Sequence, residues 1–60
     1  MTAWDFDVAV STYALVKAGV GIADWRRVTV ASGSYLDASL TALQMACVDG
    51  AIPTDILWRY

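Results

Sequence analysis

The stretch from Arg26 to Tyr60 constrains the fold more than any other part of the chain. It opens with Arg26-Arg27-Val28-Thr29-Val30-Ala31-Ser32, a run rich in β-branched residues that reads as a strand. Gly33-Ser34 interrupts it. Ser34 can cap a helix, and Asp37 three residues on completes an acidic version of the capping box. Leu36, Leu40, Leu43 and Cys47 then recur at helical spacing, which predicts one apolar stripe facing a core. Gly50 suits the left-handed residue that ends a helix after Asp49, and Pro53 prevents its continuation. Thr54 to Tyr60 reads as a further strand, with Ile56, Trp58 and Tyr60 inward and Asp55, Leu57 and Arg59 outward.

The first residues add another strand. Trp4-Asp5-Phe6-Asp7-Val8-Ala9-Val10-Ser11 alternates strictly, with Trp4, Phe6, Val8 and Val10 on one face. Residues 12–24 admit two readings. Ser11 to Ala18 can form a short helix stopped by Gly19, or the outer half of a long hairpin turning at Lys17-Ala18-Gly19-Val20-Gly21. Pairing favours the hairpin: if Val16 faces Ile22, Val10 falls opposite Val28 and Val8 opposite Val30, which gathers four valines on one face. The expected fold is therefore α+β, a single ββαβ domain spanning residues 1–60. One helix packs across a face of a three-stranded sheet. The last strand lies either parallel to the second or antiparallel to the first.

Sixty residues can bury only a small core, so such a chain is marginally stable alone. The usual supports are missing. A single cysteine, Cys47, rules out an intrachain disulfide, and the absence of histidine disfavours zinc. Association remains, and a chain that is 58% hydrophobic and 17% charged suits it. A dimer is the expected form, since small oligomers usually close with two-fold symmetry. A net charge of −2 with four basic residues argues against nucleic acid. Arg26 and Arg27 read as strand arginines, one on each face. No uncharged stretch, Val8 to Val16 included, is long enough for a membrane span. The acidic start does not resemble a signal peptide, so a cytoplasmic protein is expected.

Nothing in the chain points to catalysis. Asp5 and Asp7 share a strand face and could in principle form an acid/base pair or hold a metal, but a solvated face with a cross-strand ion pair accounts for them. Cys47 continues the leucine stripe and has no histidine to activate it. The glycines match neither the dinucleotide fingerprint nor the phosphate-binding loop. No enzyme activity, cofactor or metal is expected.

Two surfaces suggest a protein partner. Ala38, Ala42 and Met45 lie away from the leucine stripe, where small and adaptable side chains would let another helix approach. In the hairpin reading, Tyr13, Leu15 and Trp25 form an exposed apolar patch; if residues 11–18 are helical, that patch dissolves.

The run Val28-Thr29-Val30-Ala31-Ser32-Gly33-Ser34-Tyr35-Leu36-Asp37-Ala38, followed by Ala42, Gln44-Met45-Ala46 and Gly50, resembles short proteins encoded by actinobacterial phages. The resemblance covers about half the chain. It implies a viral accessory protein and supplies no functional residues. The same strand-to-helix junction has a partial likeness to HicB-type antitoxins. The expected function is thus a small, phage-encoded, non-enzymatic protein that binds a host or viral protein through Tyr13, Leu15, Trp25, Ala38, Ala42 and Met45. The alternative is a self-assembling structural or virion-associated subunit.

Overall fold

A computed structural model describes residues 2–59. The elements run β1 (Thr2–Ser11), α1 (Tyr13–Lys17), β2 (Asp24–Ser32), α2 (Tyr35–Ala46) and β3 (Ile52–Trp58). The class is α+β, as expected, but the order is βαβαβ rather than ββαβ. The sheet order is β2-β1-β3, with both neighbours antiparallel to β1. The most regularly alternating segment of the chain is therefore the central strand. Of the two placements left open for the last strand, the antiparallel one beside β1 is found.

The long hairpin is replaced by α1. The Thr12 hydroxyl, not Ser11, caps this helix by accepting from the Leu15 amide at 3.2 Å. Gly19 ends it at a φ of 87°, a value that favours glycine. Ser11 is instead buried, and its hydroxyl donates to the Val20 carbonyl at 3.0 Å. With the hairpin gone, its register goes too. Val28 pairs with Phe6, Val30 with Trp4, and Val8 with Arg26. Val28 has moved four residues along β1 from its expected partner. Because that shift is even, every side chain keeps the face its alternation assigned.

The helix start is as the capping pattern requires. Ser34 Oγ accepts from the Asp37 amide at 3.2 Å. Gly50 has a φ of 84°, and its amide donates to the Cys47 carbonyl at 3.1 Å, after a helix that closes at Ala46 rather than Asp49.

The helix phase is the main correction. Ala38, Ala42 and Ala46 are the residues buried against the sheet, where they join Phe6, Val8, Val10, Val28 and Val30 in the core. Leu36 and Leu40 are 69% and 52% exposed. Leu43 and Cys47 are half-buried at the core's margin. The bulky side chains on the sheet decide this arrangement. A face already filled by phenylalanine and valines leaves room for a helix only if its contact side is small. The three alanines recur every four residues and provide that side. The leucines would hold the helix away from the sheet and leave voids beneath it.

The helix lies over β2 and β1 and touches β3 least. With both neighbours antiparallel to β1, β2 and β3 run parallel to each other and α2 is the connection between them. Around the helix axis Leu43 and Leu36 lie on the flank that follows the alanines, and Leu40 lies nearly opposite them. Ile56 and Trp58, paired with Val8 and Phe6, lie on the sheet face that the helix covers in part. Tyr60, the third inward residue expected in this strand, lies outside the described residues.

Candidate protein-interaction surface

Four aromatic rings gather where α2 begins. Tyr35 packs against Trp4 at 5.8 Å between centroids, Phe6 at 5.8 Å and Trp58 at 5.7 Å; Trp4 and Trp58 are 5.3 Å apart. The tilted and edge-on geometries are those favoured by ring quadrupoles. Trp4 Nε1 also donates to the Ser32 carbonyl at 3.1 Å, which locks one ring of the cluster. Phe6 is fully buried, whereas Trp58 is 55% exposed. The cluster is thus anchored on one side and open on the other. Leu36 follows Tyr35 directly on α2 and, like Leu40, is exposed. Exposed apolar side chains around a tryptophan are the usual material of a protein-binding surface.

The residues expected to make partner contacts are placed differently. Ala38 and Ala42 are fully buried in the monomer's own core, so they offer no surface. Met45 is half exposed on the helix side away from the leucines. Tyr13 and Leu15 belong to α1, and Trp25 lies on the open sheet face across from Ala9. The three therefore share no strand face, and the hairpin patch dissolves with the hairpin. Sequence reasoning missed Leu36, Leu40 and Trp58 as surface residues because it sent the leucines inward. The alanine repeat at 38, 42 and 46 was the signal that could have exposed them.

The open sheet face is polar and internally paired. Asp7 accepts from Arg59 Nε at 2.7 Å and from Arg27 Nε at 3.1 Å. Asp5 accepts from the Thr29 hydroxyl at 2.7 Å. The hydrogen bond from Arg59, then that from Arg27, holds the Asp7 carboxyl below its usual range. That direction opposes general-acid chemistry, which needs a raised value. Arg26 and Arg27 do lie on opposite faces. Arg26 reaches the end of α2, where it donates to the Ala46 carbonyl at 2.6 Å and grips both Asp49 carboxylate oxygens at 2.9 and 2.8 Å. It lines a shallow depression of about 180 Å³ with Ser11, Asp24 and Asp49. Small-molecule sites are typically about 300–1,000 Å³. No group of three or more potential metal ligands occurs among the described residues, and no helix among them is long and apolar enough to cross a membrane.

The Arg26–Asp49 pair predicts an acid sensitivity. Its hydrogen bond from Arg26, supported by one from the Ala51 amide, pushes the Asp49 carboxyl down from 3.8 to about 2. A depressed value means that the folded state favours the ionised form. The stabilisation is complete above the unfolded value and is lost as pH falls from about 4 towards 2. Asp49→Asn should lower the melting temperature at neutral pH and flatten its decline over that window. Identical acid profiles for the two proteins would remove the pair from the stability of the helix end.

No family model matches the chain, and neither a curated protein nor a solved structure shows significant similarity to it.

Proposed function

We propose that this is a small, phage-encoded, non-enzymatic protein that acts by binding another protein, through the flank of α2 and the neighbouring aromatic cluster. The observation that supports this reading is the exposure of Leu36 and Leu40 on α2 and of Trp58 in the aromatic cluster at its start. A chain with so little core gains nothing for its own fold by leaving two helical leucines in water. Their retention makes sense when a partner covers them. The phage origin rests on the resemblance of the strand-to-helix junction, and a host factor is the natural target for such an accessory protein.

The test compares the wild type with a Leu36→Glu/Leu40→Glu variant, both immobilised and exposed to an actinobacterial lysate. Both positions are exposed, so the variant should keep its circular dichroism and melting. It should lose a protein that the wild type retains. Retention of the same proteins by both would overturn this surface. A second reading, a self-assembling structural or virion-associated subunit, is favoured by the unpaired outer edge of β3.

A further inference from the structure

The outer edge of β3 carries a self-complementary sequence. Asp55-Ile56-Leu57-Trp58-Arg59 is centred on Leu57, with an acid two residues before it and a base two residues after. We propose that two copies of this chain pair through the edges of β3, antiparallel and centred on Leu57, to form one continuous six-stranded sheet. This deepens the second, self-assembling reading above by naming the edge through which copies meet, and it does not depend on the α2 flank.

The hydrogen-bond phase of the strand selects this register. The Arg59 amide donates inward to the Asp5 carbonyl at 2.7 Å, and Leu57 pairs with Asp7. In an antiparallel ladder the intervening residues direct their amides and carbonyls to the other side. Ile56 and Trp58 therefore present their backbone groups at the free edge. The Ile56 amide bears this out, since its acceptor is the Asp55 carboxylate, at 2.8 Å, and not β1. Bonding across a two-fold axis requires the outward residues of one copy to face outward residues of the other. Centring on Leu57 satisfies that condition by setting Ile56 against the second copy's Trp58, twice.

The side chains agree with the backbone. Cross-strand partners share a face, so this register sets Asp55 opposite the second copy's Arg59 on the open face, twice. Leu57, 42% exposed in the single chain, meets its own counterpart on the axis. On the helix face, Ile56 meets Trp58. Moving the axis by one residue in either direction sets Asp55 against Leu57 or Leu57 against Arg59 and loses both charge pairs. The Asp55 carboxylate also acts as a latch. In the single chain it occupies the Ile56 amide; in the pair a carbonyl takes that place, and the carboxylate is released to Arg59.

Charge reversal tests the pairing. Asp55→Arg sets Arg against Arg in its own homodimer, and Arg59→Asp sets Asp against Asp. Mixed together, the two variants restore both opposite-charge pairs. In sedimentation at micromolar concentration, the wild type should be a dimer, and each variant alone should associate roughly tenfold or more weakly. The equimolar mixture should return to dimers. Arg59→Asp also removes a partner of Asp7, so circular dichroism must first establish that it folds. A second arm avoids that residue. In a Cys47→Ser background, Leu57→Cys should form an intermolecular disulfide under mild oxidation, because opposed residues at this type of position lie about 4.5 Å apart between Cα atoms. A monomeric wild type, a dimer indifferent to the swap, or a slow, incomplete disulfide would each overturn the proposal. None of these results would affect capture through Leu36 and Leu40, and failed capture would leave the sedimentation result standing.

Discussion

Phe6→Ala is expected to abolish cooperative folding. Phe6 lies in the central strand, is fully buried, pairs with Val28 on one side and Trp58 on the other, and packs against Tyr35. It is the largest fully buried side chain, in a core otherwise made of valines and alanines. Replacing such a phenylalanine with alanine typically costs about 3–5 kcal/mol, from lost transfer energy and the cavity left behind. A domain of this length has roughly 3–9 kcal/mol in total. The neighbours cannot collapse into the gap, because β1 is held on both sides by backbone ladders. Thermal melting followed by circular dichroism would measure the effect. A cooperative transition within a few degrees of the wild type would mean that the sheet and α2 do not pack through Phe6.

Ala42→Glu is expected to be as damaging, for a different reason. Ala42 is fully buried where α2 meets the sheet, with Ala38 and Ala46 one turn to either side. A glutamate there must either bury an unpaired carboxylate or prise the helix from the strands. Burying an isolated charge costs several kcal/mol even after local relaxation. Leu40→Glu, two residues earlier on the same helix, should fold normally because that side chain stands in solvent. The pair is a direct test of the helix phase: if Ala42→Glu folds and Leu40→Glu does not, the alanine face is not the core face. The same contrast separates stability from binding, since Leu40 belongs to the proposed interaction surface and Ala42 does not.

Local chemistry was readable wherever one residue and its immediate neighbours decide the outcome. Ser34 caps α2 because its hydroxyl needs only the amide three residues on. Gly50 takes a positive φ because any other residue there would be strained. The alternation from Trp4 to Ser11 makes a strand, and its parity assigned Phe6, Val8 and Val10 to the core side whatever the register. The open face with its ion-paired aspartate follows from the same parity. These properties are short-range, and the sequence by itself determined them.

Tertiary structure decided what depended on competition between distant segments. Residues 12–18 satisfy both a helical and a hairpin pattern. The Thr12 cap, the Gly19 stop and the buried Ser11 hydroxyl resolve them as helix. The pairing of Phe6 with Val28 follows from that choice, since the length of chain spent in α1 moves the start of β2. The orientation of α2 depended on the other side of the interface. Leucines are the more hydrophobic residues, so periodicity alone sends them inward, but the volume between helix and sheet was already claimed by Phe6 and the valines. Packing at crystal-like density rewards the side chain that fits, not the one with the greatest transfer energy. That rule turned the alanines in and the leucines out, and so moved the candidate surface from Ala38 and Ala42 to Leu36, Leu40 and Trp58.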